Sequence, residues 1–431
     1  PYSLNDYFEF IENISPNNFP DYFKTSNAKK AYWINTYNAL ILKIMIDNPS
    51  KNILEISKGP SFFGSFIFFQ KFKVGNEMLS PHYIEHRILR KLNDPRIHFA
   101  INCASKSCPP LGNKILKGEN LDKQLHEKAV KFINSNEHVY IDNENKIYIG
   151  HRRLEVIDIL HGSQPMFDKE KNLCVVYNGE IYNHKKLKKE LESFGYKFKT
   201  SHSDTEVIIH GWKQWGENVV RKIDGMFSIV IYDKKNQKLF LARDRYGEKP
   251  LYYSRKRDTL AFSSEIKPLL EHPEYKESSF SSIGLQKYFA HGFFPSPHTP
   301  FSGIHKLPPG HYLNVDLRDL SIKLNCYWKF QICYEDTDKI NEEDLAEELE
   351  QLLIESVSDR LESDVPIGMF LSGGIDSSSI LACASLNSNK QEIKTFSIGF
   401  LDKSYDETKY AIQVSNHFQT KHKIKYCDIN N

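Results

Sequence analysis

The sequence predicts a multidomain protein, in which an α+β domain is followed by two domains that combine helices with different kinds of β-sheet. Its 431 residues suit about two to four domains of roughly 100–200 residues each. The apolar pattern changes from helical spacing to alternation near Gly150, and an acidic stretch at 334–344 precedes strands that alternate with helices. We therefore expect domains at residues 1–149, 150–335 and 336–431.

The first domain is predicted to be α+β. Apolar residues recur at helical spacing over Ala31–Met45 and over Pro81–Leu92. The stretch "HVYIDNENKIYI" at 138–149 predicts two short strands around a polar turn, which is a plausible end of a domain.

The middle domain is predicted to contain a layered, antiparallel sheet rather than a parallel one. A strand in "LCVVYNGEIY" runs into a turn, and the helix in "HKKLKKELESFG" should end at Gly195. A hairpin is expected with its turn at Lys234–Gln237, and "TLAFSSEIKPLL" reads as a strand followed by a helical turn.

The last domain is predicted to be α/β with a parallel sheet. A helix from Leu345 to Glu362 precedes a strand, loop and helix in "MFLSGGIDSSSI" at 369–380. A second strand at 394–400, a helix over Asp406–Phe418 and a final strand follow. In such sheets ligands bind at the carboxyl ends of the strands.

Composition excludes several functional classes. A formal net charge of +2 gives no reason to expect nucleic-acid binding. The longest apolar run, at 62–69, is far shorter than the ~20 residues that a membrane helix needs. No secretory signal opens the chain, and seven irregularly spaced cysteines are typical of reduced thiols. We expect a cytoplasmic protein without membrane or nucleic-acid partners.

The loop Ser372-Gly373-Gly374 has the chemistry of a phosphate site. Small residues after a strand let backbone N–H groups approach phosphate oxygens, and the following helix N-terminus favours negative charge. Asp376 could ligate Mg²⁺, although the lysine of the common P-loop is absent. The alternative is a simple Gly-Gly turn with Ser372 as a helix cap.

A family resemblance covers residues 150–431. "SGGIDSS" and "TFSIGF", together with "GHRRLEVIDI", "QPM", "VYNGEIYN", "SDTEV", "DGMFSIVIYD", "LARDRYGEKPLYY", "SSEIKPLL" and "KLPPGHY", resemble the glutamine-hydrolysing asparagine synthetases in order and identity. The resemblance implies an incomplete αββα N-terminal-nucleophile-type glutaminase (type 2 amidotransferase) domain, followed by a truncated ATP-pyrophosphatase domain.

The implied activity is asparagine synthase, an ATP-dependent ligase with glutamine as amido donor. ATP and Mg²⁺ would convert the aspartate side chain to β-aspartyl-AMP, and ammonia from glutamine would displace AMP. The implied partners are the small molecules glutamine, aspartate and ATP, and a homodimer is compatible with the family.

Site residues are implied by matching motifs. The oxyanion donors would be Asn178 and Gly179. The ATP-binding residues would be Leu371, Ser372, Gly373, Gly374, Asp376, Ser377 and Ile398, with Asp376 also binding the metal. The glutamine-binding residues would be Arg153, Leu154, Glu155, Val156, Ile157, Asn178, Gly179, Glu180 and Asp204.

The sequence departs from the family pattern at both ends. The family's nucleophile is an N-terminal cysteine followed by glycine, whereas this chain begins with Pro1 and its seven cysteines are internal. The chain stops at Asn431, before the family's second phosphate motif and its aspartate pocket. We therefore expect this polypeptide to have no glutaminase or synthetase activity as written.

The first domain resembles a different family, domain of unknown function 547, through "AYWINTYNALILKIMI", "LSPHYIEHRILR" and "DPRIHFAINCASKSCPPL". That resemblance implies no activity. The residues themselves allow a thiol hydrolase using Cys103 or Cys108 with His98. They also allow a metal site in the H-x-x-E-H spacing of His82, Glu85 and His86, or purely structural roles.

Three further alternatives stay open. The chain could be a β-lactam-synthetase-like amidotransferase, or a catalytically incompetent chimera that binds nucleotide, or its function could reside in a thiol hydrolase at residues 1–149. The two families meet in "NKIYIGHRRL" without a polar linker. This junction suggests a chimeric or rearranged gene.

Overall fold

The computed structural model describes residues 4–48, 70–102, 109–112, 114–133, 135, 139–151, 156–158, 161–332, 341–387 and 393–427. The chain forms two compact units, Pro1–Arg152 and Arg153–Asn431. No helix among these described residues is long and apolar enough to cross a membrane.

The N-terminal unit is built around one helix whose central residues are mostly buried. Helix α2 (Ser26–Ile46) begins at Thr25, whose hydroxyl accepts a hydrogen bond from the Ala28 N–H at 3.0 Å. Its core residues include Trp33, Tyr37 and Leu40, so the predicted helix over Ala31–Met45 is confirmed. The other elements are α1 (Leu4–Asn13), β1 (Phe72–Val74), β2 (Glu77–Leu79), α3 (Pro81–Tyr83, continuing through Ile84–Leu89 and Arg90–Leu92), α4 (Leu121–Ile133), β3 (Val139–Asp142) and β4 (Ile147–Gly150).

Helix α3 confirms the predicted helical stretch but is not a regular α-helix. Ser80 accepts a hydrogen bond from the Tyr83 N–H at 3.2 Å, and Pro81 occupies the first turn, where its missing N–H costs nothing. The middle six residues are π-helical, and Asn93 in the left-handed region ends the helix. The strands β3 and β4 pair as the predicted hairpin.

The second unit contains an antiparallel sheet of six strands in the order β13-β12-β8-β7-β6-β5. The strands are β5 (Met166–Phe167), β6 (Leu173–Ile181), β7 (Gly225–Asp233), β8 (Lys238–Arg243), β12 (His311–Asp316) and β13 (Ser321–Cys326). A separate three-stranded sheet, also antiparallel, joins β9 (Tyr252–Lys256), β10 (Thr259–Ser263) and β11 (Ile304–Lys306). The expected antiparallel arrangement is confirmed, as is the hairpin turn between β7 and β8.

The first three helices of this region pack on the larger sheet. They are α5 (His184–Ser193), α6 (Asp204–Trp215) and α7 (Val219–Lys222), with α8 (Ile266–Glu271) and α9 (Ser282–His291) farther along the chain. Leu187, Val207 and Ile208 share a core with the inward side chains of β6 and β7. Gly195 lies just after α5 with φ +90°, a conformation that favours glycine, so the predicted stop is confirmed.

The predicted parallel sheet is also present. Strands β14 (Gly368–Phe370), β15 (Lys394–Phe400) and β16 (Lys421–Cys427) are parallel and adjacent in that order. Three helices accompany them: α10 (Glu342–Arg360), α11 (Ile375–Asn387) and α12 (Thr408–His417). Most of the acidic stretch at 334–344 lies outside the described residues.

Asp244, directly after β8, organises the turn that follows. Its carboxylate is 1% exposed and accepts hydrogen bonds from four backbone N–H groups, at 2.9–3.2 Å. The donors are Phe227, Tyr246, Glu248 and Lys249. One side chain therefore satisfies the backbone of a whole loop and ties it to β7.

We expect Asp244→Ala to lower the free energy of unfolding by about 3 kcal/mol, because it removes the acceptor of one buried and three part-buried backbone donors. Urea titration checks this. Asp258→Ala, which removes an exposed carboxylate from another turn, is the matched control and should be nearly neutral. Equal effects of the two substitutions would contradict the role of Asp244.

A second buried carboxylate, Glu206 on α6, anchors the preceding segment. Its oxygens accept hydrogen bonds from the N–H groups of Lys199 and Thr200, at 2.8–3.1 Å, and from the Thr200 hydroxyl at 2.7 Å. The His210 Nε2 lies 3.4 Å from Oε1. Burial by itself would raise the pKa of Glu206, but His210 and these hydrogen bonds outweigh it and lower the pKa to about 2.

The depressed pKa of Glu206 predicts acid-sensitive stability. A carboxyl whose pKa is lower in the folded chain stabilises it above pH ~4.5, and loses that contribution as pH falls towards 2. We expect about 2 kcal/mol of unfolding free energy to be lost through Glu206 between pH 6 and pH 3. In Glu206→Gln that loss should shrink, measured by denaturant titration at both pH values. Glu192→Gln, at an exposed position, should leave the slope unchanged.

Candidate functional site

The end of strand β6 carries the predicted Asn178-Gly179-Glu180 group. Gly179 pairs with Phe227 of β7, and a β-carbon added to it would lie 2.0 Å from the Met226 carbonyl oxygen. Only glycine permits this approach of the two strands. The Asn178 Nδ2 lies 3.5 Å from the Ser264 hydroxyl, at the limit of a hydrogen bond.

Asp204, the first residue of α6, lies behind that strand end. It is 2% exposed, and its Oδ2 accepts hydrogen bonds from the Tyr177 hydroxyl at 2.9 Å and the Ile181 N–H at 3.4 Å. Burial, reinforced by the Asp204 charge, raises the pKa of Tyr177, so this phenol remains a donor at neutral pH. The position of a carboxylate beside Asn178 and Glu180 is therefore fixed from both sides.

Gln164 completes this network and was not singled out as a site residue by sequence. Its Oε1 accepts from the Tyr177 N–H at 2.6 Å, and its Nε2 lies 3.4 Å from the Thr205 hydroxyl. The "QPM" motif was its only signal. Tyr177 was likewise missed, because its apolar neighbours make it look like an ordinary strand residue.

A cavity of about 320 Å³ adjoins the strand end, and three of the predicted glutamine-pocket residues line it: Val156, Ile157 and Glu180. Asn178, Gly179 and Asp204 are not among its lining residues. Arg153, Leu154 and Glu155 lie outside the described residues. The described members of the pocket are thus close in the fold, although they do not share one cavity wall.

The opposite wall of this cavity comes from the chain that follows α10, which sequence reasoning did not foresee. The Arg360 guanidinium lies 4.2 Å from the centre of the Tyr182 ring, and Glu362 lies 2.6 Å from the Lys185 ammonium. Both contacts join the amidotransferase-like part to the segment leading into β14. The cation–π geometry suits the planar guanidinium.

Asp364 extends the same junction. Its Oδ2 accepts from the Asp158 N–H at 2.8 Å and lies 2.8 Å from the His202 Nε2. Its own N–H donates to the Val156 carbonyl at 3.1 Å. Segment 360–364 is therefore held against the candidate glutamine pocket by at least four side chains.

The glycine loop follows β14 at the carboxyl end of the parallel sheet. Leu371 is 2% exposed; its N–H donates to the Phe396 carbonyl at 2.8 Å, and its carbonyl accepts from the Ser397 hydroxyl. Gly373 has φ +84°, and a β-carbon there would lie 2.4 Å from the Tyr410 carbonyl carbon. The loop is consequently rigid at a place where only glycine fits.

The hydroxyl groups of the loop point at one another. The Ser377 Oγ lies 3.0 Å from the Ser372 Oγ, 3.3 Å from the Ser372 N–H and 3.3 Å from the Gly374 carbonyl. Asp376 is exposed in the first turn of α11, and Ile398 is exposed on β15, two residues beyond the partner of Phe370. All seven predicted ATP-site residues therefore lie around one sheet edge and one helix N-terminus.

The described residues contain no cluster of three acidic, histidine or cysteine side chains that could hold a metal alone. Asp376 still fits Mg²⁺, because this ion commonly takes only one or two carboxylates and completes its shell with phosphate and water. The exposed backbone of Gly374 leaves room for phosphate oxygens.

The cysteine on the strand that carries the candidate site does not resemble a nucleophile. Cys174, Cys326, Cys383 and Cys427 are free thiols, and Cys174 is the one on strand β6. Burial raises the pKa of Cys174, which keeps it protonated and unreactive.

In the N-terminal unit, the carboxylate of Glu85 accepts hydrogen bonds from two other side chains. The Tyr37 hydroxyl donates to Oε2 at 3.2 Å and the Arg90 guanidinium to Oε1 at 3.1 Å. The rings of His82 and His86 lie with centroids 4.3 Å apart and planes tilted by 34°, and burial lowers the pKa of both. These contacts support structural roles over the metal alternative. Cys103 and Cys108 lie outside the described residues, so the thiol hypothesis stays a prediction.

Family models match three parts of the chain. "Protein of unknown function, DUF547" matches residues 22–133, "Glutamine amidotransferase domain" matches 125–328, and "Asparagine synthase" matches 348–430. The amidotransferase match begins at residue 125, earlier than the Gly150 start expected from the motifs, and overlaps the first family over 125–133.

Named relatives agree with these matches. Glutamine-hydrolyzing asparagine synthetase 2 of Bacillus subtilis is 38% identical over 262 residues, covering 59% of this chain and 34% of the relative. Asparagine synthetase 1 of the same organism is 34% identical over 293 residues, covering 68% of this chain and 45% of the relative. Amidase chyE of Penicillium rubens is 32% identical, covering 63% and 41%. The chain spans less than half the length of these three relatives.

Among solved structures, the glutamine phosphoribosylpyrophosphate amidotransferase of B. subtilis matches with 19% identity and a TM-score of 0.30, covering 65% of this chain and 51% of that one. So low a score carries no argument about the fold. By sequence, the chain is similar to glutamine amidotransferase domains over residues 125–328, to asparagine synthases over residues 348–430 and to DUF547 proteins over residues 22–133.

Proposed function

We propose that residues 150–431 belong to an ATP-dependent carbon–nitrogen ligase of the asparagine synthetase type, with glutamine as amido donor and aspartate as acceptor. The observation that carries the proposal is the Gly373 loop, whose left-handed glycine packs on Tyr410 at the carboxyl end of a parallel sheet. The sequence of that loop is the family's. The N–H groups of Ser372 and Gly374 donate to serine hydroxyls at 3.3 Å, and phosphate oxygens would take the place of these acceptors.

Loop residues would hold the phosphates of ATP. The backbone of Ser372 and Gly374 and the Ser377 hydroxyl would face the oxygens, and Asp376 would hold Mg²⁺ between them. ATP supplies the chemistry that turns an unreactive carboxylate into an acyl donor. Ile398, exposed beside the loop, offers an apolar surface for the adenine or ribose.

Glutamine would bind between the end of β6 and segment 156–157. Asp204 carries the charge for the α-ammonium group, while Asn178 and the Gly179 N–H would stabilise an oxyanion at the side-chain amide. Arg153 is proposed to pair with the α-carboxylate.

The proposal includes the finer fold assignment, an αββα glutaminase layer followed by an ATP-pyrophosphatase domain. The six-stranded antiparallel sheet with helices α5 and α6 on it, and the three-stranded parallel sheet, support this assignment. The domain limits 150–335 and 336–431, a homodimer and a cytoplasmic location remain predictions.

We expect Ser377→Ala to weaken binding of Mg²⁺–ATP roughly fivefold to tenfold, since one hydrogen bond contributes about 1 kcal/mol. Isothermal titration calorimetry measures this directly. Ser378→Ala is the matched control in the next position: its hydroxyl is buried and has no hydrogen-bond partner among the described residues, so ATP affinity should not change. Equal affinities for all three proteins would contradict the phosphate site.

We expect Asp204→Asn to abolish the preference for glutamine over glutaramate, which is glutamine without its α-amine. The carboxylate distinguishes the two ligands only while it is charged. Competition binding of both ligands to each protein checks this, and a thermal melt shows whether the variant folds. A variant that still prefers glutamine tenfold would refute the role of Asp204.

A further inference from the structure

The N-terminal unit contains a cavity of about 820 Å³ between helices α1, α2 and α4 and the segment before α4. This volume lies within the range of small-molecule sites, about 300–1,000 Å³. Phe10, Leu42, Leu111 and Ile115 line it, and each of these side chains is more than a third exposed. Apolar surface that the core leaves uncovered is thus available inside a concave site.

The side chains of the two asparagines in the cavity wall already make hydrogen bonds to backbone groups. Asn35 exchanges two hydrogen bonds with the backbone of Leu116, at 2.8 and 3.1 Å. Asn38 donates to the Ala100 carbonyl at 2.8 Å and accepts from the Asn102 N–H at 2.9 Å. These bonds fix the loop walls against α2, so the asparagines shape the cavity without offering it much polar capacity.

Lys128 of α4 is the charged group that this arrangement leaves unmatched. Among the described residues, no carboxylate lies within 4 Å of its ammonium, although the side chain is half-buried. The ammonium lies against Gly112, where an added β-carbon would be 2.9 Å from Nζ. Burial, and secondarily the nearby Lys131, lower the pKa of Lys128, as expected for a cation without a counter-ion.

The charges around the cavity favour an anion. Lys114 and Lys128 line it, against the single carboxylate of Asp6. We propose that this cavity binds an aliphatic carboxylate, with the hydrocarbon chain against Phe10, Leu42 and Ile115 and the carboxylate paired with Lys128. This inference does not depend on the proposed ligase function, which concerns the other unit.

Decanoate is a suitable probe, and decanol is its uncharged counterpart. Calorimetric titration of the full chain should show saturable one-to-one binding of decanoate, with decanol binding at least tenfold more weakly. Lys128→Met should reduce decanoate affinity tenfold or more and leave decanol unaffected, since a charge-assisted pair is lost. Lys123→Met removes an equal charge from an exposed position of the same helix and should change neither affinity.

Gly112→Ala is the second variant, because its methyl group would push the ammonium aside while retaining the charge. It should weaken decanoate and spare decanol, with an unaltered thermal melt. Absence of saturable decanoate binding up to about 1 mM, the weakest affinity of interest, overturns the proposal. So does equal affinity of decanoate and decanol, or an unchanged decanoate affinity in folded Lys128→Met.

Discussion

The buried carboxylate of Asp204 is the interaction on which the amidotransferase-like part of the chain depends. A charge that is 2% exposed is stable only when hydrogen bonds replace its water. Tyr177 and Ile181 supply two of them from strand β6, and the N-terminus of α6 adds its favourable dipole. These bonds fix the strand against the helix, and the position of Asn178, Gly179 and Glu180 at the end of β6 follows from them.

The glycine loop of the parallel sheet is also positioned by buried or tightly packed groups, but here these groups are uncharged. The backbone of Leu371 is fixed on both sides by β15, and Gly373 is wedged against α12. Ser372, Gly374 and Asp376 remain exposed. In both places a buried or tightly packed residue fixes the position of the neighbouring residues that would carry the proposed chemistry, which is how a preorganised site is built.

Local sequence patterns predicted much of this architecture. They could not predict contacts between residues that are far apart in the sequence. The β7–β8 hairpin, the stop at Gly195 and the alternation of strands and helices after residue 366 follow from periodicity and turn residues. The junction of Asp364 with Asp158 and His202 joins residues 206 and 162 positions apart, and no local rule connects them. Gln164 and Tyr177 were missed for a related reason: the Gln164 side chain accepts a hydrogen bond from the Tyr177 backbone, and this contact joins residues 13 positions apart. The π-helical part of α3 was likewise invisible to a 3.6-residue pattern.

The junction formed by Asp364 also limits the distance between the candidate glutamine pocket and the glycine loop. Asp364 is hydrogen-bonded to the wall of the candidate glutamine pocket, and Ser372 of the glycine loop follows eight residues later. Eight extended residues span at most ~29 Å. The candidate glutamine pocket and the glycine loop can therefore be no farther apart than this span. A small product released at one of them lies within that distance of the other.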